Sequence, residues 1–421
     1  MKKQLTAVLV IGLTAFSAEA QSPLSPALDR AGLIRDVLDR NPSIEAARQA
    51  WRAAAERELQ AGALDDPRIT TSIAPLSIGG EDRFGAAVEG SQMLPFPGKR
   101  RLRGALARAE GEAMASDYEG TRLELATMAS LLYDDYYRVA RALEINAEHQ
   151  KLLSLLKESA EAQYVVGRAS LQDPLQAEVE LAHLMHEQIV LLTQRDVVRA
   201  QINELLHASP ESPLPPPITS LPIPALPPSS AELQQAALKQ RPILDAAEAR
   251  IRAARSAVEL SELDSYPDFH VMGSYNSMWM STEHQWMVGV GINLPIQREK
   301  RKAAVREAEA RLAAARSERE RIEDQVRSAV EQMHRQAVEG HHIIELHTNR
   351  LLPAARDQVE AARAGFESGR NSFLAVVEAE KNLRTVELRY AGAVATYHQR
   401  LAQLDRAVGR LPFSTMQGGT Q

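Results

Sequence analysis

The side chains best suited to chemistry are imidazoles and thioethers. His341, His342, Glu345 and His347 fall within seven residues. On a helix, His341 and Glu345 are four apart and could share a face with a cation. His183 and His186 are three apart. Met272, Met278, Met280 and Met287 gather with His270 and His284, and such donors suit soft cations. Each group also has a plainer reading, as a solvated helical face or as lipid-facing and loop methionines. That reading is adopted, and no metal site is assigned. The chain has no cysteine, which excludes disulfides, thiolate ligands, cysteine nucleophiles and a lipoprotein anchor. It holds no Gly-x-Ser-x-Gly elbow, phosphate-cradling glycine loop or zinc-protease helix motif. Neither an enzyme nor a cofactor is expected.

The elements that carry these residues follow from composition and pattern. Hydrophobic residues make up 44% of the 421 residues and aromatics only 5%. That balance suits long helices in contact better than a compact aromatic core. The net charge is -6, with basic residues scattered along helices, which disfavours nucleic acid as a partner. Residues 1–20 read as a cleaved export signal: Lys2 and Lys3, an apolar run from Leu5 to Ala18, then Ala18-Glu19-Ala20. That run is shorter than the roughly 20 residues of a spanning helix.

The chain repeats itself at an offset of about 200 residues. Asn41-Pro42-Ser43-Ile44 is answered by Arg241-Pro242-Ile243-Leu244, Asp66-Pro67 by Tyr266-Pro267, and Leu94-Pro95-Phe96 by Leu294-Pro295-Ile296. Gly167-Arg168-Ala169-Ser170 is answered by Gly369-Arg370-Asn371-Ser372. Two copies are therefore expected, over 21–207 and 230–409. A proline-rich linker at 208–229 joins them, and a tail follows at 410–421. In each copy the pattern predicts a short helix (25–39; 230–239) and a second one opened by proline (42–64; 242–263). A β-hairpin comes next (68–94; 268–294), then a long helical hairpin (97–207; 297–408).

Within the hairpins apolar and polar residues alternate. Phe269, Val271, Gly273 and Tyr275 oppose His270, Met272, Ser274 and Asn276, and Trp286, Val288, Val290 and Ile292 line another apolar face. Ile69 and Ile73, and then Phe84, Ala86 and Val88, do the same in the first copy. Alternation alone suits a half-buried soluble hairpin or an outer-membrane strand, and the flanking helices, too long for a globular domain, favour the second. Two hairpins cannot close a barrel, and open sheet edges do not occur in lipid, so several chains are expected to share one barrel. The loops at 76–83 and 277–285 would face outside. The basic clusters Lys99, Arg100, Arg101, Arg103 and Arg298, Lys300, Arg301, Lys302 could meet phospholipid headgroups.

The helix over 97–166 would be on the order of 100 Å long at 1.5 Å per residue. Leu125, Met128, Leu132, Tyr136, Val139 and Leu143 form its apolar stripe. Its partner returns antiparallel through a Gly-Arg turn too short for anything else. Small residues such as Ala105, Ala107, Ala109 and Gly111 permit close helix approach.

The run Leu94-Pro95-Phe96-Pro97-Gly98-Lys99-Arg100 and the turns Gly167-Arg168-Ala169-Ser170-Leu171 and Gly369-Arg370-Asn371-Ser372-Phe373 resemble the TolC-like outer-membrane efflux proteins. The likeness is to their heavy-metal cation branch, the CzcC- and CusC-like proteins, and it covers nearly the whole mature chain. It implies a mainly α fold with a small β part. Long helical hairpins would form a periplasmic α-barrel, and two β-hairpins per chain would contribute to a trimeric outer-membrane β-barrel. It implies a passive duct in a tripartite exporter. The partners would be two more copies of the chain, a periplasmic adaptor (membrane fusion protein), an inner-membrane RND-type pump and outer-membrane lipid. Gly167, Arg168, Ser170, Leu171, Gly369, Arg370, Ser372 and Phe373 would then form the adaptor-contact tips. Glu378 would line the periplasmic constriction. Ala375 stands where a second acid is often found, and Asp173 could compensate. Drugs or secreted polypeptides are the alternative cargo. A soluble periplasmic coiled-coil adaptor is the alternative function.

Overall fold

The computed structural model describes residues 27–74, 85–167, 169–279 and 282–412. The export signal at 1–20, Arg168, the first outer loop, Phe84, Met280 and most of the C-terminal tail lie outside the described residues. Thirteen regular elements follow the duplicated order. The first copy runs α1 (Arg30–Arg40), α2 (Pro42–Gly62), β1 (Arg68–Ala74), β2 (Gly85–Leu94), α3 (Lys99–Val165) and α4 (Gln172–Leu205). The second runs α5 (Ser230–Gln240), α6 (Pro242–Leu263), β3 (Phe269–Asn276), β4 (Trp286–Ile292), α7 (Arg298–Leu346), α8 (Leu352–Glu367) and α9 (Phe373–Val408).

Local chemistry sets the boundaries. The Asp29 carboxylate accepts from the Ala31 and Gly32 amides and starts α1 there, five residues later than the pattern predicts. Asn41 caps α2 through its side chain, with Pro42 at the first helical position. α3 spans 67 residues without a break. Its counterpart in the second copy, which the pattern predicts as one helix over 297–368, is instead interrupted. Between α7 and α8, residues His347–Leu351 form a π-turn, and the Leu352 amide bonds back to the His347 carbonyl. Pro353 has no N–H, and its ring would crowd the carbonyl one turn earlier. The helix widens to make room for it.

The long helices pack side by side around α3, which touches α1, α2, α4, α6 and α9. The backbone of α2 passes close to α3: a Cβ added at Gly111 would lie 3.5–3.6 Å from backbone atoms of Ala54 and Ala55. The main core gathers Leu33, Ile34 and Val37 of α1, Tyr133 and Tyr137 of α3, Ile202 of α4, Val330 and Ile344 of α7, and Tyr397 of α9. The proline-rich segment is part of this core rather than a free linker. Leu221 is buried in it, and the Leu28 amide bonds to the Pro216 carbonyl.

A buried polar node fastens that segment. Arg30 pairs with fully buried Asp134 and donates through Nη1 to His398 Nδ1 at 3.0 Å. Since arginine only donates, His398 accepts at Nδ1 and donates its Nε2–H to the Pro222 carbonyl at 2.9 Å. Burial, aided by the Arg30 charge, pushes His398 down to about 3, so the ring stays neutral. Burial pushes the Asp134 carboxyl from 3.8 up to about 7, with Arg30 offsetting only part of it. The folded chain therefore holds this proton over a range where the unfolded chain releases it. This group makes stability fall as pH rises from about 4 to about 7. Replacing Asp134 by Asn should remove that component: the melting temperature of wild type minus variant, in detergent, should decline across the interval.

Candidate functional site

The four strands form one antiparallel sheet in the order β1-β2-β3-β4. The two copies join where β2 pairs with β3, with Leu94 opposite Phe269 and Val88 opposite Tyr275. The register aligns every alternation. Ile69, Ile73, Val88, Leu94, Phe269, Val271, Tyr275, Trp286, Val288, Val290 and Ile292 fall on one face. Thr70, Ser72, Glu89, Ser91, Met93, His270, Met272, Ser274 and Met287 fall on the other. No helix covers the apolar face. Val288 is 87% exposed, and Trp286 and Ile69 are both more than two thirds exposed. β1 and β4 are unpaired along their outer edges in the single chain. Among the described residues, no helix is long and apolar enough to cross a membrane.

A compact junction sets the sheet on the helices. Lys99, the first residue of α3, is buried at 2% exposure. Its Nζ lies 2.8 Å from Asp268 Oδ1 and 3.3 Å from Asp264 Oδ1, and it donates to the Tyr266 carbonyl. The Phe96 amide also donates to Asp268, and the Phe96 ring stacks on Tyr266 at 4.6 Å. Partial burial opposes ionisation of Asp268, yet the Lys99 and Phe96 hydrogen bonds prevail and hold it below the ordinary carboxylate range. The expectation of a headgroup contact fails for Lys99, because its charge is spent inside the chain. Arg100, Arg101, Arg298, Lys300 and Lys302 stay exposed.

At the opposite end are the two helical turns. Gly167 has φ +73 and Gly369 φ +71, and each amide bonds back to the carbonyl three residues earlier, Tyr164 or Phe366. Nothing lies within 4 Å of either added Cβ, so the demand for glycine is backbone geometry alone. Ser170 and Leu171 are exposed, as are Arg370 and Ser372. Ser170 Oγ accepts from the Gln172 amide. Phe373 differs from expectation. It is buried at 2%, packs with Leu153, Leu184 and Val377, and meets Phe366 edge-on at 5.7 Å. It holds the tip together and presents no contact surface. Glu378 is exposed and Asp173 half-buried.

Above the tips, ion pairs fasten the helical hairpins, a feature the sequence alone did not reveal. Arg363 of α8 pairs with Glu380 of α9 within the second hairpin, and Arg384 of α9 pairs across to Glu180 and Glu187 of α4 in the first. His149 of α3 lies 3.1 Å from Glu387 and 3.8 Å from Glu380. An open recess of about 650 Å³ lies beside this group, between α3, α8 and α9. The histidine groups do not converge. His347 is buried with Nδ1 donating to the Ile343 carbonyl, while His342 is exposed and His341 lies 3.7 Å from Glu345. His183 and His186 line a recess whose acids already pair with Arg384. Among the described residues, no group of three His, Asp or Glu could hold a metal.

A lone chain with an uncovered, half-apolar sheet standing on roughly 100 Å helices defines a fold class, paired helical hairpins that carry an open four-stranded sheet. The family described as "Outer membrane efflux protein" matches residues 233–410, most of the second copy of the repeat. The cobalt-zinc-cadmium resistance protein CzcC of Cupriavidus metallidurans is 25% identical over 182 residues. That match spans 42% of this chain and 43% of the length of the relative, well under half of either. The CusC structure superposes with a TM-score of 0.78 at 19% identity, over 93% of this chain and 96% of the other. VceC of Vibrio cholerae gives 0.76 at 18%, over 90% and 96%. The channel OprN gives 0.74 at 20%, over 90% and 89%. At such identities the likeness is one of fold.

Replacing Lys99 by Met leaves two carboxylates at the junction without their cation. It should cost on the order of 3 kcal/mol, the usual loss when one partner of a buried pair is removed. A fall in the denaturation midpoint of the full-length protein reads this out, and an unchanged midpoint would contradict the role given to the pair.

Proposed function

We propose that three copies of this chain close one β-barrel in the outer membrane and one helical tube beneath it, forming a passive exit duct. The observation that carries this reading is the four-stranded sheet with two unpaired edges and a bare apolar face. Such a sheet is untenable in water as an apolar patch and untenable in lipid as an open edge. Closure with further copies satisfies both. Energy and selection come from elsewhere: a periplasmic adaptor seated on the tips at Gly167, Ser170, Leu171, Gly369, Arg370 and Ser372, and an inner-membrane RND-type pump. Glu378 and Asp173 supply negative charge near the periplasmic mouth, which favours cationic cargo. The basic residues Arg100, Arg101, Arg298, Lys300 and Lys302 sit where headgroups would meet the barrel base.

Heavy-metal cations are the proposed cargo. The support is the Pro-Phe-Pro-Gly-Lys junction and the partial likeness to a protein named for cobalt, zinc and cadmium resistance. A strain lacking the gene should lose tolerance to at least one of copper, silver, zinc, cobalt and nickel while drug tolerance stays level. Unchanged metal tolerance with lost drug tolerance would overturn the cargo. Gly369→Leu forces a branched side chain onto a left-handed backbone at the tip, at a cost of about 1–2 kcal/mol. Heat-modifiable trimers should persist in outer-membrane fractions while resistance is lost. Retained resistance would refute the tip assignment.

A further inference from the structure

The sheet register sorts the methionines. Met93, Met272 and Met287 all lie on the polar face, and none lies on the apolar face. A thioether used as lipid filler belongs on the opposite side. His270 stands directly across from Met93 on the same face, so their Cβ atoms lie about 5 Å apart. Two residues further along β3 comes Met272, whose side chain lies flat over Gly289 of β4. Met287 follows on the next rung, opposite Ser274, with Glu89 on the far side of Ser274. Met278 then lies over Gly85 at the outer end of β2. Successive rungs are two residues apart, or about 7 Å along the strands. The glycines at 85 and 289 have a use here: a Cβ on Gly289 would come within 2.6 Å of the Met272 methyl, and one on Gly85 within 2.3 Å of Met278 Cγ.

We infer that this row is a ladder of soft donors for a thiophilic monovalent cation, silver(I) or copper(I), passing along the polar face. Thioether and imidazole are the ligands such ions prefer, and a two-coordinate ion needs only a pair such as Met93 and His270. Each rung is a low-count site, suited to transit instead of storage. The inference rests on the duct reading, since it requires the polar face to line the conduit.

The test uses the full-length protein purified from outer membranes in detergent. Silver(I) retention is measured by equilibrium dialysis and elemental analysis, for wild type and for Met93→Leu/Met272→Leu/Met287→Leu. Leucine conserves volume, so the sheet should persist. The variant should bind silver ~10-fold or more weakly, with zinc(II) retention unmoved. In intact cells, Met272→Cys should react with a membrane-impermeant maleimide and Val290→Cys should not. The natural chain has no cysteine to compete. Protection of Met272→Cys with labelling of Val290→Cys would overturn the duct reading, and the ladder with it. Labelling as expected, but equal silver retention in wild type and variant or none in wild type, would overturn the ladder and leave the duct standing.

Discussion

Backbone hydrogen bonding at the edges of the sheet governs the rest of this molecule. β1 and β4 each present a row of amides and carbonyls with no partner in the same chain. In hydrocarbon each such group costs several kcal/mol, and no side chain can substitute for a neighbouring strand. The chain cannot shelter them by folding the sheet onto its helices, because the side that would remain outermost carries Val288, Val290 and Trp286. Partners for those edges must come from strands beyond this sheet.

That demand explains the rigid mounting of the sheet. A barrel assembled from separate chains closes only if each sheet is held at a fixed tilt. Here the junction is stiff: a buried lysine shared by Asp264 and Asp268, a Phe96–Tyr266 stack and the Phe96 amide converge within a few ångströms. At mid-height a second fixture, Arg30–Asp134–His398, anchors the proline-rich segment between α3 and α9. Both fixtures use charges in places where water is scarce. Such groups contribute more to defining one geometry than to net stability.

Much of this was legible in the sequence. Proline at 42 and 242 marks helix starts through its fixed φ, and alternation at 269–276 marks a strand through its period of two. The glycines at 167 and 369 mark left-handed turns, and both adopt them. What was not legible is long-range. The pairing of β2 with β3 across the duplication, the burial of Lys99 among apparent surface cations and the inward turn of Phe373 all depend on partners far along the chain. Nothing local distinguishes Lys99 from Arg100. The π-turn before Pro353 sits between these cases: proline announces a disturbance, but whether the helix kinks, ends or widens is settled by its packing neighbours.

That widened turn has a consequence for symmetry. In the ring of three proposed above, a duplicated chain offers twelve long helices, and perfect copies would let every hairpin trade places with the next. The first copy has an unbroken α3, whereas the second inserts an extra residue of helical phase at His347–Leu351. Side chains beyond it are rotated relative to their counterparts in the first copy. Neighbouring positions around that ring are thereby made unlike, and the proposed adaptor would meet two alternating kinds of groove and not one repeated six times.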